Sequence, residues 1–293
     1  MLYDAIDHVI LPVPDPDTAA EPFRRLGLTL SGGTRHRGRG TRNRSFFVGE
    51  PASPFYVELL GIADREEALR VRGAAFVEAM ERGSGLRSVL LRTSDLAAAV
   101  AELRRRGAPY ETAEVHDDAG TKIADTAWSP DPGPAVVDVR LVQHPADAAQ
   151  RRAARMASEG LLSHAFPLKR LDHLAAVAPD LETATRYWAD VLGIPPTGEV
   201  RTPAMIIRQF RIGDAIIELL GPATPESPIA SRPAGLASMA AFEVQDLDAA
   251  VAAARAAGFT PSEPGAGALP GTRTATIPGA ELAGLSLQLL QYV

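Results

Sequence analysis

Two histidine–glutamate pairs stand among the apolar residues of predicted strands. His173 lies in LDHLAAVA and Glu218 in DAIIELLGP, while His8 lies in IDHVI and Glu58 in FYVELLGI. Burying an imidazole and a carboxylate is costly unless the two groups pair with each other or bind a cation. Each pair therefore predicts either a hydrogen-bonded acid–base couple or a bound metal ion.

The elements that must position these pairs follow one order, a strand, a helix and three strands, which occurs four times. Asp15 or Asp17 caps the first helix and Gly27 ends it; the second begins at Ser94 or Asp95. Apolar residues in these helices recur at a spacing that gives one buried face. LTLSGG, RSFFVG and FYVELLGI are predicted to be the strands of the first unit.

The two halves of the chain repeat each other. His8 and His173 are separated by 165 residues, and Glu58 and Glu218 by 160. If one domain was duplicated, equivalent residues should be separated by nearly the same number of residues, with differences only from loop length. We expect one domain over residues 1–145, a partly helical linker over 146–167 and a second domain over 168–293. A connecting helix is predicted over residues 63–84.

Composition limits the classes of partner. The chain has 293 residues, a formal net charge of −6 and no cysteine, which excludes disulfides and thiolate sites. A nucleic-acid partner normally requires a basic face. The N-terminus lacks the pattern of a signal peptide, and no apolar run approaches a membrane span. We therefore expect a cytoplasmic monomer or homodimer that binds a small molecule and neither nucleic acid nor membrane.

The repeated modules, with their opening IDHV and LDHL strands and their ELLG strands, resemble the vicinal oxygen chelate superfamily. This group includes glyoxalase I, methylmalonyl-CoA epimerase, extradiol dioxygenases and bleomycin-resistance proteins. The second half is similar to the epimerases through LDHLAAVAPDLETATRYWADVLG and FEVQDLDAAVAAARAAGF. The first half is similar to glyoxalase-like relatives through its GTRNR segment. The resemblance implies an α+β fold of two tandem domains, each with paired βαβββ modules that form a curled mixed sheet around a cleft.

The resemblance also implies a divalent cation that chelates two substrate oxygens, held by residues of the first and fourth strands of each module. In the second domain the resemblance implies that His173 and Glu218 are metal ligands and that Gln288 is a third ligand. It also implies that Glu218 is the catalytic group. Met239 (or Ser238) stands where relatives have a histidine. The ion would be Mg, Mn, Co, Ni, Zn or Fe, and a site without metal is the alternative.

In the first domain, the resemblance carries over to His8 and Glu58 as metal ligands. Ser88 stands at the second histidine position and Arg140 at the last glutamate position. A cation beside a divalent ion is unfavourable, so Arg140 is expected to pair with Glu58 and leave this site free of metal. An alternative assembly would let the two first modules face each other, which would bring His8, Glu58, His173 and Glu218 into one set.

Substrate contacts are predicted from two regions. The segment TRHRGRGTRNR, residues 34–44, carries five arginines, of which Arg42 and Arg44 are the candidates to bind a carboxylate or phosphate. A solvated hairpin is the alternative for this segment. Met205, Phe210 and Met239 are expected to line the second cleft. A surface position is expected for His144.

The leading hypothesis is a metal-dependent lyase or isomerase that acts on a small oxygenated, carboxylate-bearing metabolite. The alternative is a metal-free binding or sequestering protein of the bleomycin-resistance type. An extradiol dioxygenase is less favoured, because such a site needs two histidines and a carboxylate in one domain.

Overall fold

Two curled eight-stranded sheets, one from each half of the chain, form the frame of the protein. The computed structural model describes residues 2–83 and 85–293. The first sheet contains β1 (Ala5–Pro12), β2 (Arg35–His36), β3 (Thr41–Val48), β4 (Phe55–Ile62), β5 (Ser88–Arg92), β6 (Glu111–His116), β7 (Lys122–Trp128) and β8 (Asp138–Gln143). The second contains β9 (Arg170–Val177), β10 (Gly198–Arg201), β11 (Met205–Ile212), β12 (Ala215–Pro222), β13 (Gly235–Glu243), β14 (Gly265–Ala266), β15 (Thr272–Ile277) and β16 (Ser286–Tyr292).

Consecutive modules pair within each sheet. The strand orders are β2-β3-β4-β1-β5-β8-β7-β6 and β10-β11-β12-β9-β13-β16-β15-β14, so the two sheets have the same topology. The first strand of each domain runs parallel to the fourth strand of its own module and antiparallel to the first strand of the next. The predicted α+β fold of two tandem domains is therefore confirmed. The alternative assembly, in which the two first modules face each other, is not the one that forms.

Seven α-helices accompany the sheets among the described residues: α1 (Pro16–Leu26), α2 (Arg65–Arg72), α3 (Ala74–Arg82), α4 (Leu96–Arg105), α5 (Ala146–Ser158), α6 (Leu181–Arg186) and α7 (Leu247–Ala256). Asp15 caps α1 through the backbone N–H of Thr18, and Gly27 ends it in the left-handed region. The α6 helix continues as a π-helical turn, Tyr187–Val191. Two short 3-10 turns are Gly133–Ala135 and Gly279–Glu281.

Two local predictions differ from the structure. The connecting helix predicted over 63–84 is two helices, α2 and α3, which meet at Gly73, whose φ is 80°. Residue 84 lies outside the described residues. The strand predicted for LTLSGG does not form, and β2 is instead the two-residue strand Arg35–His36. Two glycines in succession supply no side chain to pack, which explains why that segment stays irregular.

One continuous apolar core joins the two domains. Trp188 of the second domain is fully buried, and its indole N–H donates to the carbonyl of Ala135 in the first, at 3.0 Å. The Tyr3 hydroxyl donates to the carbonyl of Leu192 at 2.9 Å. Phe242 lies 6.2 Å from Phe46 between ring centroids. The two sheets therefore pack back to back through the faces opposite their clefts.

The α5 helix forms in the segment predicted to be a partly helical linker. Its Met156 is buried and packs with Phe47 and Leu161 in a small apolar cluster against the first sheet. This packing fixes the helix over the concave side of the first domain. No helix within 2–83 and 85–293 is both long enough and apolar enough to cross a bilayer.

Candidate active site in the first domain

A cavity of about 410 Å³ opens on the concave face of the first sheet. Aromatic and aliphatic side chains make much of its wall, among them Tyr56, Leu90 and Trp128. Phe76 of α3 and Met156 of α5 close it at two sides. Its volume falls within the range of small-molecule sites, which are mostly apolar and contain a few well-placed polar groups.

His8 and Glu58 face each other in the wall of this cavity. They stand on the adjacent strands β1 and β4, and both are more than nine-tenths buried. His8 Nδ1 lies 2.8 Å from the carboxylate of Asp7, so this nitrogen carries the proton and donates. The other ring nitrogen, Nε2, lies 3.8 Å from Glu58 Oε2. The imidazole of His8 and the carboxylate of Glu58 thus face each other across a gap wider than a hydrogen bond.

A second imidazole, that of His36 on β2, flanks the other oxygen of Glu58. Its Nε2 lies 3.8 Å from Glu58 Oε1, and its Nδ1 lies 2.9 Å from the hydroxyl of Thr41. The amide of Asn43 donates to Glu58 Oε1 at 2.6 Å and lies 3.4 Å from His36 Nε2. Burial lowers the pKa of His36, against the opposing charge of Glu58. His36 is therefore a neutral imidazole near pH 7, and Glu58 lies between two histidines.

Asp7 holds two of the cavity histidines through one buried carboxylate. Its Oδ1 lies 2.8 Å from His8 Nδ1 and 3.3 Å from His144 Nε2, and Arg152 Nη1 lies 3.6 Å from its Oδ2. Burial alone would raise the pKa of Asp7, but the neighbouring imidazoles of His144 and His8 outweigh it and hold that pKa well below its usual range. Asp7 therefore stays ionised and orients the His8 ring.

The strand register locates the four positions where a metal-binding relative would carry its ligands. In the first sheet, Leu90 of β5 pairs with both His8 and Arg140. In the second sheet, Ala241 of β13 pairs with His173 and with Gln288. Glu58 pairs with Ile10, two residues after His8, and Arg140 pairs with Leu90, two residues after Ser88. By the same register Met239 corresponds to His173, so Ser88 and Met239 stand where the sequence comparison placed them.

Arg140 does not pair with Glu58, contrary to expectation. Its guanidinium donates to the carboxylate of Asp138 at 2.7 Å, and the hydroxyl of Ser88 donates to the same carboxylate at 2.6 Å. Asp138 precedes Arg140 by two residues on β8, so both side chains lie on the concave face. The neighbours of Glu58 are therefore Asn43 and the imidazoles of His8 and His36.

The second domain builds a similar pair. His173 Nδ1 lies 2.8 Å from Asp172, His173 Nε2 lies 3.8 Å from Glu218 Oε2, and the amide of Gln209 donates to Glu218 Oε1 at 2.9 Å. Burial would lower the pKa of His173, but the hydrogen bond to Asp172, the charge of Glu218 and the side chain of Gln288 raise it. His173, Glu218 and Gln288 therefore come together as predicted.

The donor sets fit a divalent ion differently in the two domains. Ser88, whose hydroxyl donates to Asp138, and Arg140 give the first domain a neutral hydroxyl and a cation at two of the four ligand positions, which does not fit an ion. The second domain offers one imidazole, one carboxylate and one amide, a set that fits three coordination positions. Within the part of the chain that the structure describes, no three His, Asp or Glu side chains are arranged to hold a metal. His8, His36 and Glu58 therefore do not form a two-histidine, one-carboxylate ion site of the extradiol kind.

Arg42 and Arg44 lie outside the cavity lining, which corrects the prediction that they bind substrate. Arg42 Nη2 pairs with Asp15 at 2.6 Å, and Arg44 pairs with Asp17 at 2.5 Å. Both carboxylates belong to the start of α1, where they also cap or charge the helix. Arg39, from the same segment, is the arginine that lines the cavity.

The residues predicted to line the second cleft lie on different faces of their strands, so only some of them can point into it. Phe210 is fully buried in the core, with its ring centroid 5.1 Å from that of Trp188, so it does not line the cleft. The alternation of β11 places Met205 on the face that carries Gln209. Met239 shares the face of Ala241 on β13. These two methionines remain predictions as ligand contacts.

Several residues that line the cavity were not predicted to do so from the sequence, namely His36, Arg39, Arg72, His144 and Arg152. His144, expected at the surface, borders the cavity beside Asp7. Arg152 belongs to α5, where arginines at 151, 152 and 155 lie on one helical face. That spacing was a signal that the segment packs against an acidic or polar surface.

Comparison with known proteins places both halves among related families. A family model described as a glyoxalase-like domain matches residues 6–156, slightly more than half of the chain. A second model, described as the glyoxalase/bleomycin resistance protein/dioxygenase superfamily, matches residues 172–276. The first region contains the first sheet except for Ala5, and the second contains most of the second sheet but ends before β16.

Two curated relatives match about 30% of the chain each. Mitochondrial methylmalonyl-CoA epimerase of Mus musculus is 34% identical over 95 residues, which is 30% of this chain and 53% of that protein. The uncharacterized protein YaeR of Escherichia coli is 35% identical over 89 residues, 29% of this chain and 68% of that protein. The chain thus spans about half the length of the mouse epimerase.

Two solved structures cover nearly the whole chain. A variant of 4-hydroxymandelate synthase from Streptomyces coelicolor has a TM-score of 0.65 at 17% identity, covering 100% of this chain and 93% of that one. A hypothetical protein from Staphylococcus aureus has a TM-score of 0.64 at 12% identity, covering 98% of both chains. At these identities the likeness concerns the fold, and it extends to the tandem arrangement of the two domains.

Proposed function

Because the chain belongs to the glyoxalase-like family of the glyoxalase, bleomycin resistance protein and dioxygenase superfamily, we propose that it is a lyase or isomerase. Its substrate is a small oxygenated, carboxylate-bearing metabolite, and its active site is the first-domain cavity. One observation carries this proposal. Glu58 is a buried carboxylate that lies between two imidazoles at the wall of a cavity large enough for such a substrate.

Glu58 is placed to remove a proton from a carbon next to a carbonyl or carboxylate group. The C–H bond breaks, the proton goes to a Glu58 oxygen, and the electron pair moves onto the substrate oxygen as an enolate. Return of the proton at another face or carbon gives an isomerase, and departure of a neighbouring group gives a lyase. His8, held by Asp7 at 2.8 Å, can accept or return a proton through its free Nε2.

Guanidinium groups supply the positive charge that an enolate needs in this cavity. Arg140 occupies one of the positions where metal-binding relatives carry a ligand, and Arg39 and Arg72 line the same space. Fixed positive charge in a site that excludes water stabilises a developing oxyanion. The chemistry proposed for the first domain therefore uses side chains of this chain alone.

A divalent ion is proposed only for the second domain, where His173, Glu218 and Gln288 would hold it. When bound, such an ion supplies positions that chelate two neighbouring oxygens. We expect Mn²⁺ titration by calorimetry to give one site per chain, which His173→Ala abolishes and His8→Ala retains. Equal loss in both variants, or no ion bound by the unaltered protein, would contradict this placement.

Solvent deuterium exchange tests the proton transfer whatever the product is. The protein is incubated in D₂O with a panel of 2-hydroxy, 2-oxo and branched carboxylates, and NMR follows loss of the α-proton signal. We expect exchange of at least one compound, a decrease of about 1000-fold in Glu58→Gln, and little change in Arg151→Gln; general base catalysis typically contributes 10²- to 10⁴-fold. Exchange that persists in Glu58→Gln would contradict the assignment of the base.

A binding or sequestering protein is the second candidate. It is favoured by Ser88 and Arg140 at two ligand positions, because a hydroxyl and a guanidinium there do not hold the ion that metal-binding relatives carry. Tight binding of a compound that undergoes no exchange, with equal affinity in Glu58→Gln, would select this candidate over the enzyme.

A further inference from the structure

One corner of the first-domain cavity is built from guanidinium groups, two of which lack carboxylate partners. We propose that this corner, formed by Arg39, Arg72 and Arg140, binds a dianionic head group of the ligand, either a phosphate monoester or a geminal dicarboxylate. This proposal deepens the proposed function, on which it rests for the position of the reacting carbon. It concerns binding, so it can be tested without turnover.

Arg39 and Arg72 are the unpaired members of this corner. Among the described residues, neither forms an ion pair with a carboxylate, although both line the cavity. Arg39 donates to the carbonyl of Glu114 at 2.7 Å, and the Arg72 guanidinium lies 4.6 Å above the ring of Phe76. Burial and the neighbouring charges of Arg140, Arg39 and Arg87 lower the pKa of Arg72 to about 10, against the opposing charge of Asp138. Such crowding of like charges is unfavourable until an anion enters.

The charge of the corner matches a dianion better than a single carboxylate. Arg39, Arg72 and Arg140 bring three positive charges to the corner, and Asp138 is the carboxylate that pairs with one of them, Arg140. Three positive charges with one paired carboxylate leave an excess of two. Arginine also binds phosphate and carboxylate oxygens with a planar fork of donors, which a dianionic group can engage from several sides.

The arginines of α5 do not share this property. Arg155 pairs with Glu159 at 2.7 Å, Arg151 pairs with Asp147, and Arg152 lies 3.6 Å from Asp7. Their charges are therefore balanced within the protein. They also lie at the other end of the cavity, because Arg152 contacts Asp7 near the start of β1, whereas Phe76 packs near Ile10.

The dianion corner, as defined by Arg39, Arg72 and Arg140, lies beside the proposed base. Phe76, over which Arg72 is stacked, packs in a small apolar cluster with Ile10 and Leu60. Glu58 pairs directly with Ile10, and Leu60 is two residues further along β4, a distance of about 7 Å. A ligand anchored at the corner therefore extends its apolar part towards the aromatic wall and its first carbons towards Glu58.

Matched aromatic ligands test the charge preference. Phenyl phosphate, phenylmalonate, benzoate and phenol are titrated at pH 7.5 by calorimetry, so that one apolar body carries two, one or no charges. We expect at least one of the dianions to bind about tenfold or more tightly than benzoate, and phenol more weakly than benzoate. Comparison of phenyl phosphate with phenylmalonate identifies which dianionic group the corner prefers.

Substitution of the corner arginines tests whether the dianion binds there. We expect Arg72→Gln and Arg39→Gln each to weaken the preferred dianion by roughly tenfold or more, since charge-assisted hydrogen bonds contribute about 1.5–3 kcal/mol. Arg72→Lys should recover part of the loss, and Arg151→Gln, a cavity arginine with its own carboxylate, should stay within about twofold. Thermal unfolding of each variant without ligand shows whether it is folded.

Three outcomes would overturn the proposal: equal affinity for benzoate and both dianions, dianion binding that is unchanged in Arg39→Gln and Arg72→Gln, or an equal loss in Arg151→Gln. Glu58→Gln separates this proposal from the proposed function. Dianion binding retained in Glu58→Gln, together with absence of proton exchange in every protein, would support the corner and reject the enzyme. Proton exchange in a protein that shows no preference for dianions would support the enzyme and reject the dianion corner.

Discussion

At the scale of residues, Asp7 determines what His8 can do. Its carboxylate accepts the Nδ1 proton of His8, which turns Nε2 towards Glu58 at 3.8 Å. Asp172 performs the same role for His173 in the second domain. A carboxylate behind a histidine fixes the tautomer and raises the basicity of the ring, whether the ring receives a proton or binds an ion.

Asp7→Asn is expected to lower the free energy of unfolding at pH 7 by about 3 kcal/mol, because it removes the charge that two histidines and Arg152 surround. The depressed pKa of Asp7 stabilises the fold above the unfolded value of about 3.9 and loses this effect as pH falls below it. Urea unfolding at several pH values measures this. Between about pH 5 and pH 3 the unaltered protein should lose stability more steeply than Asp7→Asn.

Asp4→Asn is the matched control for this change, since Asp4 is exposed and three residues earlier on the chain. It should change the free energy of unfolding by less than about 0.5 kcal/mol. A pH profile of Asp7→Asn that parallels the unaltered protein would show that Asp7 is not ionised in the fold.

At the scale of elements, the break between α2 and α3 positions Arg72. Gly73 adopts φ 80° and ψ 169°, a region open essentially to glycine, and its backbone N–H bonds to Leu69. Arg72 immediately precedes this turn and Phe76 follows it, so the turn allows the guanidinium to stack over the ring. A continuous helix over the same residues would carry the two side chains at a different separation.

Gly73→Ala is expected to cost on the order of 2 kcal/mol through backbone strain alone, because a Cβ there meets nothing within 4 Å. Relief of that strain should displace Arg72 and weaken phenyl phosphate binding by several-fold. Gly107→Ala provides the control, with φ 93°, an equally open Cβ position and no contact with the cavity. It should lower the melting temperature and leave the affinity unchanged; an equal affinity loss in both would refute the role of the turn.

The sequence was sufficient for elements that depend on local signals. Of the cap candidates Asp15 or Asp17 and Ser94 or Asp95, the caps form at Asp15 and Asp95, and the repeat predicts the two sheets. The repeat also locates the ligand positions, because Ser88 stands two residues before the partner of Arg140, as His8 stands two residues before the partner of Glu58.

The cavity lining, in contrast, depends on contacts distant in sequence. His36 reaches Glu58 only because a two-residue strand pairs with β3, and Arg152 reaches Asp7 only because α5 folds over the first sheet. Neither contact has a local signature. The same holds for Arg42 and Arg44, whose basic segment predicted a ligand site but whose charges are balanced by Asp15 and Asp17.

At the scale of the whole molecule, two domains of one topology have diverged in chemistry. Both keep the histidine–glutamate pair at 3.8 Å with an aspartate behind the histidine. The first adds Arg140, the second adds Gln288, and the cavity of about 410 Å³ belongs to the first. Because one apolar core joins the domains, the second stabilises the first regardless of whether it binds a ligand or an ion.

The proposed chemistry belongs to the first domain, and the equivalent glutamates Glu58 and Glu218 allow this placement to be tested in one measurement. The rate of α-proton exchange in D₂O is compared between Glu58→Gln and Glu218→Gln, with circular dichroism to verify folding. We expect Glu58→Gln to reduce the rate about 1000-fold and Glu218→Gln to stay within about threefold of the unaltered protein. A large loss in Glu218→Gln with activity retained in Glu58→Gln would contradict it.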